Sequence, residues 1–382
     1  MPTTITGTTG ADTINASTAD VSNPTIYGLQ GDDSILGSST SASLIYGNQG
    51  DDIIYGSGTG TGTASGADLY QDTLYGGQGN DSIFSMSSGA QIYGNMGDDS
   101  IVSGGGRATI FGGQGDDTID LSGPTGVTGV GNNTVYGGMG DDIIYGVSSD
   151  MIYGNQGDDS ITSGASSTVY GGQGSDTVIA AGGSNEIYGN LGNDLVTVAG
   201  DSNTVFGGQG NDRVVVTGGT TDVIYGNLGN DAIDLGGSGG DATVYGGQGA
   251  DTILGGADTD FIYGNLGNDL FDLGAGGTTG VTVADFVSGE DQIAVGAVAG
   301  TATNFTSATT TGGLTAAQTA AASLFGTDTG LEYVFVSSSD GGYLFDGGAD
   351  TYAVLSNTSS MAYNDIVASS GAGLTAGAGP TT

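Results

Sequence analysis

The sequence predicts an all-β chain wound as a parallel β-solenoid of about 14 turns of about 18 residues, followed by a mostly-β cap. Three observations carry that reading. A six-residue phrase, G-x-x-G-x-D, returns fourteen times, with Gly or Asn second in all but the first two, mostly 17 to 20 residues apart. Two columns of single aliphatic residues run in step with it. The long insertions, Gly56 to Asp72 and Ser122 to Asn133, fall between phrases and never inside one. A fixed internal period means stacked units, each too small to bury its own apolar side.

The phrase opens at Gly7, Gly28, Gly47, Gly76, Gly94, Gly112, Gly137, Gly154, Gly171, Gly189, Gly207, Gly226, Gly246 and Gly264, and its fourth-position glycine and sixth-position aspartate never vary. Glycine at those places suits a backbone that turns sharply or takes positive φ. Two residues after the aspartate comes the first apolar column, Ile14 through Ile253 and ending in Phe271. A lone inward residue with outward neighbours is the signature of a very short strand. The second column, Ile26 through Ile262, precedes each phrase by two residues. Two inward columns per turn describe a flattened coil with two strands, two turns and a thin β-branched core.

Charge then sets the chemistry. The chain of 382 residues has 42 acidic side chains and two basic ones, Arg107 and Arg213, for a net charge of −40. Nucleic acid and acidic membranes are repelled by such a body, so neither is expected as a partner. With no histidine, cysteine or lysine, the chain lacks zinc ligands, thiol catalysis, an HExxH helix, a P-loop lysine and a Schiff base. A formal G-x-S-x-G at Gly236, Ser238 and Gly240 sits in a glycine-rich turn with no histidine to activate the serine. What remains is a row of hard carboxylate oxygens, the donors that Ca²⁺ selects. Without a cation, carboxylates stacked rung on rung would drive the coil apart.

The nonapeptide wording G-G-x-G-x-D-x-U-x closely resembles the repeats-in-toxin (RTX, haemolysin-type calcium-binding) family over Gly7 to Leu273. The resemblance implies a right-handed parallel β-roll with calcium between successive turns along one edge. It assigns the ligand role to Asp12, Asp33, Asp52, Asp81, Asp99, Asp117, Asp142, Asp159, Asp176, Asp194, Asp212, Asp231, Asp251 and Asp269. Fourteen stacked loops leave room for up to about 13 Ca²⁺ in one row. The motif comes once per turn here rather than every nine residues, so the second turn is expected to lack a metal row. A metal-bound stack makes binding energy folding energy: the apo chain is expected to be disordered and the calcium-loaded chain folded.

Domains are expected at 1–273, the calcium-binding roll, and 274–382, a cap. DFVSGEDQIAV and YNDIVA in the cap resemble the closing segments of serralysin-type secreted proteases, which implies a type I secretion region around Asp365, Ile366 and Val367. The N-terminus carries neither a basic n-region nor an apolar h-region, and no apolar run is long enough to span a bilayer, so no membrane insertion is expected. The chain is thus expected to be secreted, extracellular or on the cell surface.

One column exceeds what calcium needs. Tyr27, Tyr46, Tyr75, Tyr93, Phe111, Tyr136, Tyr153, Tyr170, Tyr188, Phe206, Tyr225, Tyr245 and Tyr263 precede the opening glycines and, by alternation, point outward. They stack on one another to stiffen the sheet, or form a contact surface for self-association. From Gly47 onward, G-N-x-G turns mostly alternate with G-G-Q-G turns, a period of two turns. The function expected is a non-enzymatic calcium-binding structural protein, a surface-layer, coat, matrix or filament subunit, with calcium also able to bridge to acidic surface glycans. The alternatives are a calcium-dependent adhesin or ice-binding module, against which stands Gln, Leu or Met (Gln49, Leu191, Met139) where such modules present threonine, and an RTX-type secreted hydrolase of unrecognised class.

Overall fold

A computed structural model describes residues 3–17, 22–57, 70–123, 129–256, 259–274, 281–296, 298–347 and 352–369. Most of the first long insertion and the middle of the second lie outside them, as do the residues after 369. The chain is a parallel β-solenoid of about fourteen turns, arranged as two compact units, Met1–Leu191 and Gly192–Thr382.

Each turn contributes one strand to each of two sheets. In the first unit the long strands run from Thr25–Gln30 through Leu44–Gln49 to Glu186–Leu191, and the short ones from Thr13–Asn15 through Ser34–Leu36 to Thr177–Ala180. Pairing is parallel and in strict register: Ile26 sits beside Ile45, Ile45 beside Leu74, and Ile35 beside Ile54. Both aliphatic columns are buried with essentially no exposure. Each such side chain contributes about 1.5–3 kcal/mol when removed from water, and β-branched residues suit the pleat, so the stack holds only while neighbours cover one another.

Sharp corners need special backbone. The second position of the phrase takes left-handed φ, near +130° at Gly77, Gly113 and Gly172 and +80° to +86° at Asn48, Asn95, Asn155, Asn190 and Asn227. Asparagine tolerates that region better than other side chains, and here its amide donates to the carbonyl two residues back, as Asn48 does to Tyr46 at 3.2 Å. Leu29, with φ +90°, is the exception.

The second unit repeats the pattern from Leu195–Val198 to Leu270–Asp272 and continues it past the last phrase. Thr282–Val283 stacks on Phe261–Leu266, and Gln292–Gly296 stacks on Leu270–Asp272. Tyr352–Leu355 then pairs with Thr282–Val283 and leads into an antiparallel meander with Gly341–Asp346 and Tyr333–Ser338. The helix expected near Leu314 to Phe325 is Leu314–Thr327, held by Ala317 and Ala321 against Val334, Val336 and Phe345. Ile366–Ala368 closes the other sheet beside Gln292–Gly296, and Asp365 is buried, accepting from Ser288 Oγ at 2.6 Å. No helix among the described residues is long and apolar enough to cross a membrane.

Candidate metal-binding edge

The sixth-position aspartates end the loop where the chain turns into the short strand, and the pleat directs them inward. Asp33 through Asp269 are at most 2 % exposed, while Asp12, on the first turn, is partly exposed. In each pair one carboxylate oxygen is used structurally. Oδ1 of Asp33 accepts the backbone N–H of Asp12, Oδ1 of Asp52 that of Asp33, and the ladder continues at 2.8 Å through Asp81, Asp99, Asp117, Asp142 and Asp159. Asp159 in turn donates to Asp176 at 2.9 Å. The second unit repeats it from Asp194 through Asp212, Asp231 and Asp251 to Asp269. The nine residues singled out in the first unit, Asp12 to Asp176, therefore stand on one edge of that unit, and the five in the second, Asp194 to Asp269, on one edge of theirs.

The second oxygen is the informative one. Oδ2 of Asp33, Asp52, Asp81, Asp99, Asp117, Asp142, Asp159, Asp212, Asp231 and Asp251 is buried and has no hydrogen-bond partner. It lies over the opening glycine of its own turn, together with a carbonyl from the next: a Cβ on Gly28 would stand 2.7 Å from Gly47 O and closer still to Asp33 Oδ2. That position can only be glycine, because the space above its Cα holds two oxygens. Desolvation, reinforced by the neighbouring carboxylates, raises the carboxyls to about 6 at Asp52, to about 7 at Asp81, Asp99, Asp117, Asp142, Asp159, Asp212 and Asp251, and to about 8 at Asp231. The ion pair of Arg213 with Asp234, at 4.0 Å, is on the outer face and does not relieve them.

A buried, orphaned carboxylate oxygen is expensive unless a proton or cation meets it. The donors converging there are all oxygen, hard and partly backbone, a set that suits Ca²⁺ and excludes zinc or copper. Among the described residues no three acidic side chains gather at one point, so a cation here would be held by the Asp Oδ2 of a turn together with glycine-loop carbonyls such as Gly47 O. When bound, calcium supplies the missing charge between turns; this chain's own residues fix the register that brings the oxygens together.

Three features escaped the sequence reading. Asp291 extends the row by one rung, accepting from Asp269 N at 3.0 Å, and Gly289, Asp291 and Ile293 keep the spacing of the fourth, sixth and eighth positions. The fifth position forms an outer ladder, with Asp32, Asp51, Asn80 and Asp98 each accepting the N–H of the next turn's fifth residue at 2.8–3.0 Å. The opposite edge has a ladder of its own. Asp72, Asn133, Asp150, Asn185 and Asp222, each two residues before an inward aliphatic, are buried and accept a backbone N–H of the preceding turn through Oδ1.

That second edge satisfies itself locally. Asn133 and Asn203 donate to Val130 O and Gly200 O, and Oδ2 of Asp72, Asp150 and Asp260 accepts from Ser57, Val147 and Gly256 N–H groups at 2.7–3.0 Å. Among the described residues of that edge, Asp222 alone has its second oxygen buried without a hydrogen-bond partner. The Ser238 hydroxyl donates to Gly240 O at 3.0 Å and so serves its own turn.

The model of the RTX calcium-binding nonapeptide repeat matches residues 3–20, 27–58, 67–87, 93–123, 125–233 and 236–271, more than half of the chain. The chain belongs to the RTX calcium-binding repeat family. All fourteen row aspartates lie within the matched segments of this RTX chain. Among solved structures it is similar to a hyperactive, Ca²⁺-dependent, β-helical antifreeze protein from an Antarctic bacterium, with 18% identity, a TM-score of 0.48 and coverage of 89% of this chain and 95% of that one. No curated protein matches it in sequence.

Proposed function

We propose that this RTX protein is a secreted structural protein that folds on calcium and assembles on the cell surface as a layer, coat, matrix or filament subunit, rather than an enzyme. The observation that carries the reading is the row of buried Oδ2 atoms. It makes the fold conditional on a cation abundant outside cells, with the fourteen aspartates as ligands and up to about 13 ions between turns. Nearly all the described residues belong to the solenoid and its cap, which supports a structural role. Secretion fits the same logic, since a chain that folds only in calcium stays threadable where calcium is scarce. Electron microscopy of the full chain with millimolar calcium and with chelator tests this. Ordered sheets or fibres appearing only with the ion are expected; dispersed monomers at high concentration in calcium would overturn assembly while leaving calcium-dependent folding to be judged by circular dichroism.

A further inference from the structure

The alternation of loop types acquires a physical meaning on the long-strand face. In asparagine turns the strand opens with a bulky residue and the third loop position is often apolar: Val223 with Leu228, and Phe261 with Leu266. In the glycine turn between them the same places hold Thr243 and Gln248. Leu228, Phe261 and Leu266 are 42 %, 46 % and 67 % exposed. They form ridges two turns apart, about 10 Å at strand spacing, with a hollow over Gly247 walled by Tyr225, Tyr245, Leu228 and Leu266. In the first unit a hollow over Gly77 is flanked one turn to either side by Gln49 and Met96, with Leu29 a further turn away.

This face is also nearly free of charge. On a chain of net charge −40, the outward positions of the described long strands carry a single carboxylate, Glu186, which accepts from the Tyr188 hydroxyl. The tyrosine rings lie parallel with centroids 4.7–5.0 Å apart, as in Tyr27, Tyr46 and Tyr75. Their faces are spent on one another, so a sugar or planar ring has no face to stack on. Over the ten long-sheet strands of the first unit the face measures about 20 Å by 45 Å, roughly 900 Å², the size of one side of a standard stable interface.

We propose that a second copy of this chain docks face to face on the tyrosine-ladder sheet, its bulky asparagine turns seated over the glycine turns of the first. The proposal rests on the self-assembly reading above and adds its face and its register. A polyanion can approach its own copy closely only where neither carries charge. Ridges and hollows with one shared period match another copy and no unrelated surface.

The test is the mass of the calcium-loaded full chain by sedimentation over a hundredfold concentration range. The double variant Leu228→Glu, Leu266→Glu puts carboxylates on two ridges; Ile143→Glu, Ile179→Glu does the same on the opposite sheet, where those residues are 38 % and 47 % exposed. Association weakened at least tenfold by the first pair and changed less than twofold by the second is the expected result. Should the first pair disturb the calcium-dependent β signal, Gln209→Glu with Gln248→Glu, both exposed on the same face, replaces it under the same criteria. Wild-type assembly that survives the ridge variants, or yields equally to the opposite-sheet pair, overturns the face while leaving self-assembly intact. A wild-type chain that stays monomeric in calcium overturns both.

Discussion

Removing calcium while varying pH separates the two ways of quieting the buried carboxylates. In the folded state without metal, burial raises seven of these groups from 3.8 to about 7. A rise of about 3 units is worth on the order of 4 kcal/mol per carboxylate once it must ionise. Over seven rungs that is on the order of 30 kcal/mol, well beyond the roughly 5–15 kcal/mol that holds an ordinary domain together. Because the folded-state pKa lies above the unfolded one, the stabilisation is fully present below about pH 4 and is lost as pH rises through 6 to 8. Calcium has the opposite dependence, since it needs the deprotonated oxygens and its binding weakens with acid. At a thousandfold excess over its dissociation constant, one ion contributes about 4 kcal/mol, close to what one rung loses. In chelator the far-UV circular dichroism is therefore expected to show a disordered chain at pH 8 and β structure near pH 4.5; in millimolar calcium, β structure at pH 8. An equally ordered chelated chain at both pH values would refute the argument, and so would one that stays disordered at pH 4.5.

Other consequences follow from single positions. Asp99→Asn, Asp117→Asn and Asp142→Asn together keep the Oδ1 ladder and remove three orphaned charges, so in chelator the β signal by circular dichroism is expected to persist to a higher pH than in the wild type, and bound calcium to be lost by titration calorimetry. The outer Asp98→Asn, Asp116→Asn, Asp141→Asn triple changes net charge equally and is expected to do neither. Gly112→Ala sets a methyl 2.5 Å from Gly137 O and closer still to Asp117 Oδ2, a loss of about 3 kcal/mol in calcium, whereas Gly218→Ala meets nothing within 4 Å and is expected to be neutral in thermal melts. Ile110→Ala opens a cavity in the stacked column and is expected to cost about 2–5 kcal/mol. Leu29→Asn relieves the left-handed strain at φ +90° and is expected to stabilise by about 1 kcal/mol.

The aspartate edge was readable in the sequence because one residue type fills every rung, and the two aliphatic columns because burial tolerates only a few kinds of side chain. Asp291 was hidden by a turn that keeps Gly289, Asp291 and Ile293 but drops the opening glycine pair. The opposite edge was hidden for a different reason. Its ladder needs only a small side chain with an inward oxygen, and Asp72, Asn133 and Ser167 meet that need with no common letter. The outward course of the tyrosines followed from alternation alone, but the relief beside them required knowing that Thr243 and Gln248 flank the same glycine turn.

The two-turn relief also bears on how such a chain can lengthen or shorten over generations. Excising one glycine turn would bring two bulky crests side by side, and excising one asparagine turn two hollows, whereas excising an adjacent asparagine and glycine pair, about 36 residues, keeps the rhythm. Heritable size variation is thus expected in double steps, with the coding sequence growing or shrinking by whole couplets.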